Sequence, residues 1–253
     1  MAKKSTSAEM EKRETGSVPD YVEKQDGQRS GFEEMKPGDI LTPALTIIQK
    51  AHDEELITKY GMGSLVLLAS DEKLCGVGEL IKIQALKHYV DYVEWDSTDE
   101  TRKKPALARS TDRLGDLAKR FEDGEKVVRP DGKVKFAVTA SHRFICLLEG
   151  RNYPVMLSFR NTNYKNGKAW LNMMYFRGNF PMYAGKYTLR SVKLQNAAAQ
   201  EYYVLRAEND GWATKEEYDV AASWHDKVKD IGAVRIEGDD EQTDEVKDTT
   251  PEI

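Results

Sequence analysis

The chain has 253 residues, a formal net charge of −5, and 32% charged residues, more than an average globular chain, which predicts a soluble protein. Its length allows one large or two small domains with a real hydrophobic core. No apolar run approaches the roughly 20 residues of a membrane span, and the polar N-terminus has no signal-peptide core. Cys75 and Cys146 stand without a CxxC pair or a histidine at metal-ligand spacing. We therefore expect no disulfide scaffold and no structural zinc site, and a reducing cytoplasm as the compartment.

Charge is distributed unevenly along the chain. Residues 237–253 hold eight acids and one base, a net charge of −7, which leaves +2 for residues 1–236. Residues 142–206 hold ten bases against only Glu149 and Glu201, together with 12 of the chain's 23 aromatic residues. Each feature alone also fits an ordinary globular domain, because folding can scatter charges over several faces and aromatic residues favour strands. Their combination favours a binding surface for nucleic acid.

The first part of the chain predicts an arm and then the start of a globular domain. Residues 1–38 are polar, mixed in charge and poor in periodic apolar residues, which predicts a flexible arm. Apolar residues within 40–55 recur at helical spacing after Thr42, a plausible N-cap, and Pro43, which suits the first helical position. We expect a short amphipathic helix there.

Alternating or apolar patterns predict about six or seven strands. Residues 78–95 alternate over their whole length, which fits one long bent strand or two strands. The other predicted strands cover residues 64–69, 127–128, 133–149, 153–160, 186–194 and 200–207. The Pro-Asp-Gly sequence at 130–132 predicts a tight turn.

Further helices are predicted between and after these strands. Residues 96–129 form a charged insertion with a helix at 113–121. Residues 161–176 are ambiguous, because an Asn-Gly pair is a hairpin signal while the apolar residues fit a helical face, and we expect a loop followed by a helix near 168–175. A capping box that begins at Thr214 predicts a final helix. The fold class is therefore mainly β with flanking helices (α+β), a small barrel with insertions and disordered termini.

Catalytic chemistry is not visible in the sequence. It has no P-loop, no dinucleotide-binding fingerprint and no nucleophile elbow. Glu79 and Lys82 lack the spacing of a metal-dependent nuclease, and we expect the four histidines to be dispersed surface or hydrogen-bonded residues. Cys146 is expected to be a small buried hydrophobe and Cys75 a loop thiol. We therefore predict a protein that is not an enzyme and has no cofactor and no bound metal.

A surface for single-stranded nucleic acid needs basic side chains for the phosphates and aromatic rings that stack on the bases, at about 1–3 kcal/mol per base. Residues 158–170 and 182–193 interleave both types. Lys186 and Arg190 alternate with apolar neighbours, which favours them as groove residues, whereas Tyr187 and Trp170 fit a core position equally well. The predicted nucleic-acid-binding residues are Arg143, Phe159, Arg160, Tyr164, Lys165, Lys168, Trp170, Arg177, Tyr183, Lys186, Arg190 and Lys193.

The acidic tail predicts a competitor for this surface. A tethered segment of −7 beside a segment of +8 competes for the basic residues at high effective concentration, and salt weakens that competition. Polynucleotide would then displace the tail and free it for partner proteins. Readout of double-stranded DNA is less expected, because no helix-turn-helix or basic recognition helix is predicted.

The chain resembles phage-encoded single-stranded DNA-binding proteins. The resemblance covers residues 40–253 and rests on the stretches LTPALTIIQKA, PVMLSFRNTNYKNGKAW and PMYAGKYTLRSVKLQNAAAQEYYVLRA. It implies an OB-fold barrel with a flexible N-terminal arm and an acidic C-terminus, which coats DNA during replication and recombination in the host cell cytoplasm. Many such proteins end in an aromatic residue that docks on partners, whereas this chain ends in Ile253, so recruitment through the tip is in question.

The sequence thus predicts an OB-like nucleic-acid-binding domain over residues 39–232, between an arm at 1–38 and a disordered acidic tail at 233–253. Its expected partners are single-stranded DNA and, through the tail, replication or recombination proteins, with no membrane and with a homo-oligomer left open. The first alternative is a phage structural or adaptor protein whose basic segment contacts another protein. A nuclease or recombination enzyme is the second alternative.

Overall fold

The computed structural model describes residues 42–96, 106–196 and 199–229, so the predicted arm and acidic tail lie outside the described residues. The described strands are β1 (Ala44–Ile47), β2 (Leu65–Leu67), β3 (Glu72–Cys75), β4 (Leu80–Glu94), β5 (Ala108–Ser110), β6 (Lys126–Val128), β7 (Val134–Phe136), β8 (Val138–Leu148), β9 (Pro154–Arg160), β10 (Gly185–Gln195) and β11 (Glu201–Trp212). The described helices are α1 (Glu54–Tyr60), α2 (Asp116–Glu122), α3 (Tyr164–Tyr175) and α4 (Lys215–Val228). The protein is mainly β with flanking helices, which confirms the predicted class. None of these helices has the length and apolarity to cross a membrane.

Nine of the described strands form one sheet, in the order β11-β10-β4-β8-β9-β1-β2-β3, with β5 paired to β4. Neighbouring strands are antiparallel except for β1 and β9, which run parallel. β4, β8 and β9 form a meander, α3 connects β9 to β10, and the β10–β11 hairpin returns to the other side of β4. β6 and β7 form a separate two-stranded hairpin within the insertion that precedes β8.

Side-chain amides join the two ends of this strand path. Gln49, just after β1, donates from Nε2 to the carbonyl oxygen of Tyr203 at 2.6 Å and accepts the amide of the same residue at 3.1 Å. Asn163, just after β9, accepts the amide of Leu205 at 2.7 Å. An amide side chain can stand in for a neighbouring strand because it carries a donor and an acceptor. The sheet therefore curls until β11 lies beside β1 and β9.

The longest predicted elements are confirmed. The alternating residues 78–95 form the single strand β4, which bends at a bulge between Ala85 and Lys87. The capping box is present at the start of α4, where the Thr214 hydroxyl accepts the amide of Glu217 and the carboxylate of Glu217 accepts the amide of Thr214. Both predictions rested on long or strongly specified local patterns.

Two local predictions are wrong. The helix expected within residues 40–55 is the strand β1, in which Leu45 pairs with Leu67 of β2 and Leu157 of β9. A strand paired on both sides can be apolar without strict alternation, so its sequence also fits a short helix. Cys75 is not a loop thiol but a buried residue at the end of β3.

Helix α3 packs closely on one face of the sheet. Its buried side chains, Trp170 and Met174, join Phe144 and Phe159 in the largest hydrophobic cluster. Gly167 allows this approach, since a Cβ atom there would lie 2.6 Å from the Cβ of Phe159. The Asn-Gly pair at 166–167 therefore lies inside a helix and not in a hairpin, and the helix begins earlier than predicted.

The opposite face of the sheet packs against α4. Alternate residues of β8 point to opposite sides, so Phe144 faces α3 while Ile145 and Leu147 face α4. Ala221 and Val228 of α4 complete this second cluster. Because this second half of β8 is buried on both sides, its sequence is continuously apolar over residues 144–148.

Two histidines meet beneath the start of α3. His88 Nε2 and His142 Nδ1 are 2.9 Å apart across β4 and β8, and the Tyr164 ring packs on His142 with ring centroids 4.5 Å apart. Burial lowers the pKa of His88 to about 3, helped by His142 and Arg113, and lowers the pKa of His142 to about 4, helped by Arg113 and Lys168. These two histidines are hydrogen-bonded, one of the two expected states, and the strand register brings them together although they are distant in sequence.

Replacement of Gly167 by Ala should destabilise the protein by about 1–3 kcal/mol, since the new methyl group overpacks the contact with Phe159 and His142. Helix propensity alone predicts that the substitution stabilises the protein, because Ala is favoured over Gly by about 1 kcal/mol in a helix. The measurement is urea denaturation. The control is Asn172→Ala on the exposed side of the same helix, which should be neutral or slightly stabilising. A stabilised Gly167→Ala protein would contradict this packing.

The free energy of unfolding should fall as the pH drops from about 6.5 to about 4. The unfolded chain takes up protons on histidine near pH 6.5, while the folded protein keeps His142 neutral until about pH 4. The loss from His142 alone is on the order of 3 kcal/mol. Urea denaturation at a series of pH values measures it. In a His142→Phe variant this part of the pH dependence should vanish, and an unchanged dependence would refute the assignment.

Candidate nucleic-acid interface

Two of the predicted stacking residues lie in the hydrophobic core. Phe159 and Trp170 are fully buried, and so is Tyr187, whose ring meets that of Trp170 edge-on with centroids 5.7 Å apart. A ring enclosed by other side chains offers no face to a base. We therefore assign Phe159 and Trp170 to the core and not to a stacking surface. Basic and aromatic residues alternate along the sequence in the same way whether the rings point inward or outward, so the sequence pattern does not distinguish the two.

Two other predicted rings are half-buried. Tyr164 packs on His142 and on Phe121, with ring centroids 4.5 and 5.8 Å apart. Tyr183 packs on Tyr218 of α4, with ring centroids 5.3 Å apart. Because their rings already contact protein, neither tyrosine forms an open platform.

The predicted cations of β10 are engaged in ion pairs. Lys186 forms a 2.5 Å contact with Glu217 that raises the pKa of the lysine and lowers that of the carboxyl group. The pairs are Lys186 with Glu149 and Glu217, Arg190 with Glu208, and Lys193 with Glu201. Lys186 and Arg190 therefore do not present the unpaired charges expected from the sequence, since carboxylates from α4 and β11 fold onto them.

Arg143 belongs to a buried ion-pair network. Its Nη2 lies 2.8 Å from Oδ2 of Asp91, a carboxylate with no exposed surface, and Arg109 donates to both oxygens of the same carboxylate at 2.8 and 3.0 Å. Removing one partner of such a network leaves an uncompensated buried charge. Arg143 therefore serves the fold. Arg160, on the same face of the neighbouring strand, is exposed and lies opposite Ser141.

The outward side of α3 carries lysines and exposed rings. Lys165 and Lys168 are exposed near its start, and Tyr175 and Phe176 at its end are 77% and 80% exposed. Positions 168, 172 and 176 follow one another at a spacing of four, which places them on one side of the helix. A helix of 12 residues is about 18 Å long, so the lysines and rings span most of that distance.

Among the described residues, no carboxylate forms an ion pair with Lys165 or Lys168 on this side of α3. The sequence contains no acidic residue between Glu149 and Glu201. Within the described ranges, Lys165 and Lys168 have no ion-pair partner, in contrast to the lysines of β10. Part of the positive charge in residues 142–206 therefore reaches solvent here, and the exposed Arg206 of β11 carries a further part.

A second pair of exposed rings lies just beyond α3. Phe180 and Trp212 are 61% and 52% exposed, with ring centroids 5.1 Å apart. The guanidinium of Arg177 lies 3.9 Å from the centroid of Trp212 and donates to the carbonyl oxygen of Gly211 at 2.6 Å. Arg177 thus holds Trp212 and adds a cation beside it. We call the following residues the α3 surface: Lys165, Lys168, Tyr175, Phe176, Arg177, Phe180 and Trp212.

The sequence did not reveal the four exposed rings of this surface. Tyr175 and Phe176 follow Met174, which is the last inward position of α3, so a helical projection extended by one turn places them outside. Phe180 and Trp212 carry no comparable signal. Their exposure follows from the turn after α3 and from β11, which runs to Trp212 and not to residue 207 as predicted.

The α3 surface has the chemistry to bind an extended polyanion with flat bases. Lysine ammonium groups pair with phosphate oxygens, and exposed rings offer faces for stacking. The rings form two contacting pairs, Tyr175 with Phe176 and Phe180 with Trp212, and together they expose on the order of 500 Å². Within the part of the chain that the structure describes, no group of three His, Cys, Asp or Glu residues could hold a metal ion.

Comparison with known families gives one match. Residues 10–233, most of the chain and all of the described residues, match the model of a phage family described as Pam3 phage gp34-like protein. No curated protein and no solved structure gives a significant match. The chain therefore belongs to the Pam3 phage gp34-like protein family.

Proposed function

We propose that the protein binds single-stranded DNA without strong sequence preference during phage DNA replication or recombination, and that the α3 surface is its binding site. One observation carries the proposal: lysines that pair with no acidic residue in the described part of the chain share the outward side of one helix with exposed rings. Phosphate contacts supply affinity but read no sequence. Stacking tolerates any base, because every base has a flat face.

The exposed rings favour a single strand over a duplex. In a duplex the bases stack on each other and leave no face for Tyr175, Phe176 or Trp212. The lysines and the exposed rings lie toward opposite ends of α3, and the helix lacks the row of polar side chains that reads base edges in a major groove. Such a surface should therefore bind a strand with unpaired bases more tightly than a duplex.

We also propose that the domain is an OB-like barrel with insertions. An OB fold is a five-stranded, partly open Greek-key barrel. The meander β4–β8–β9, the helix α3 and the hairpin β10–β11, with β10 paired to β4, support this proposal. β1 and the side chains of Gln49 and Asn163 occupy the gap between β9 and β11. The bulge in β4 bends that strand so that it pairs with both β8 and β10.

A phage structural or adaptor protein is the second candidate function. A contiguous patch of exposed rings also marks protein contact sites. The lysines and the long acid-free segment give the preference to nucleic acid, since protein interfaces are depleted in lysine at their centres. Direct binding measurements separate the two candidates.

The double variant Tyr175→Ala/Phe176→Ala should bind a labelled single-stranded oligonucleotide about 10- to 100-fold more weakly than the wild type, because stacking contributes about 1–3 kcal/mol per base. The variant Lys165→Glu/Lys168→Glu should also bind more weakly and show a shallower salt dependence. Fluorescence anisotropy over a range of salt concentrations measures both effects. All four side chains are exposed, so the fold should persist, which circular dichroism can verify.

The matched control is Lys215→Glu/Lys227→Glu, an equal charge change on α4. It should weaken binding only slightly, by the amount expected from the change in net charge alone. If wild-type protein gives no signal at low salt, the adaptor candidate is favoured. If the α3 variants and the control bind equally well, the strand binds elsewhere on the protein.

Removal of the acidic tail should tighten oligonucleotide binding at low salt, with a smaller effect as salt rises. Residues 237–253 lie outside the described residues, so this proposal rests on their charge of −7 and on the positive α3 surface. In the proposal DNA displaces the tail, which then recruits replication or recombination proteins. A full-length control with its eight tail acids changed to amides should behave like the deletion. If the wild type, the deletion and the amide control bind with equal affinity at low salt, the tail does not compete with DNA.

A further inference from the structure

The hairpin of β6 and β7 has one apolar face that the protein does not cover. On this face Val128, Val134 and Phe136 are between 59% and 69% exposed, and Val128 lies directly opposite Val134. On the other face Val127 packs against the cluster that contains α2. A two-stranded hairpin has little stability of its own, so exposed apolar residues on it are costly unless they serve binding.

The same hairpin is basic. Residues 126–136 hold four bases and one acid, a net charge of +3. The single acid, Asp131, pairs with Lys133 at 3.0 Å. The ammonium nitrogen of Lys126 lies 5.9 Å from the centroid of the Phe136 ring. A cation beside an exposed ring is the combination that also defines the α3 surface.

Two further basic residues of the hairpin, Arg129 and Lys135, form no ion pair with the described residues. The Nε and Nη2 atoms of Arg129 are shielded from solvent and form no hydrogen bond with a protein group. Unused donors of a guanidinium are costly, so a rotation of the Arg129 side chain toward solvent would be favoured by phosphate oxygens, the partners that its fork geometry fits. Lys135 on β7 is exposed, and within the described segments it has no ion-pair partner.

The hairpin borders the lysine end of α3. Val127 and Tyr164 pack against one hydrophobic cluster, together with Phe121 of α2. Tyr164 is the first residue of α3 and directly precedes Lys165. The basic hairpin and the α3 surface therefore flank the same cluster, and a strand bound to one is close to the other.

We propose that the β6–β7 hairpin is a second contact for single-stranded nucleic acid. Lys126, on the same face as Phe136, and Arg129 and Lys135, which alternate onto the Val127 side of the hairpin, pair with phosphates, and the exposed ring of Phe136 stacks on a base. The inference rests on the proposed function and extends the binding site beyond residues 142–206. An exposed apolar face can also bind a second copy of the chain. Charge favours the polyanion, because two hairpins of +3 repel each other when face to face.

The test is the salt dependence of oligonucleotide binding by the full chain with Lys126→Gln, Arg129→Gln and Lys135→Gln. Each phosphate contact to a single strand contributes about 0.7 to the slope of log K against log salt. Loss of three contacts should make the slope shallower by about 2. The matched control removes three exposed lysines elsewhere, by Lys50→Gln, Lys215→Gln and Lys227→Gln, and should keep the wild-type slope.

The outcomes distinguish this inference from the function on which it rests. A shallower slope for the hairpin variant alone supports the second contact. A wild-type protein that does not bind the oligonucleotide overturns the proposed function itself. Wild-type binding with equal slopes for the variant and the control overturns only the second contact. If slopes are equal and a Phe136→Ser variant of the full chain has a lower mass than the wild type in analytical ultracentrifugation, the face belongs to a second copy, which also overturns the inference.

Discussion

Helix α3 presents a fixed outward side because its inward side packs on the sheet at contact distance. Gly167 leaves no Cβ atom between the helix and Phe159, and Trp170 fills the space that follows. Asn163 ties the start of the helix to β11 through the amide of Leu205. These contacts fix the rotation of α3 about its own axis. Lys168, four residues before the exposed position 172, therefore points to solvent together with the rings at the helix end.

Ion pairing within the fold decides which cations remain available. Counting charge along the chain treats residues 142–206 as one positive segment. Folding brings carboxylates from other segments onto much of it, so Lys186 meets Glu217 and Arg143 meets Asp91. α3 escapes this neutralisation because its outward side faces no acidic element among the described residues. The surface that remains is smaller than the sequence predicts, but it combines charge with exposed rings.

Local patterns predicted much of the fold and little of the site. The strand β4 and the cap at Thr214 were predictable because alternation and capping are local signals. The strand β1 was not, since its apolar residues also fit a helical face. Residue types did not distinguish exposed rings from buried ones, because exposure of Trp170 or Trp212 depends on packing partners distant in sequence. The pairing of His88 with His142 likewise depends on strand register, which local patterns do not fix.

Contact between a single strand and the α3 surface can be measured directly by hydroxyl-radical footprinting read by mass spectrometry. Oxidation of Tyr175, Phe176 and Trp212 is measured in the free protein and in a saturated complex with an oligonucleotide. The account predicts strong protection of these rings in the complex, while Val220 on α4, which is also exposed, stays as reactive as before. Rings that remain fully reactive in a saturated complex would contradict the account.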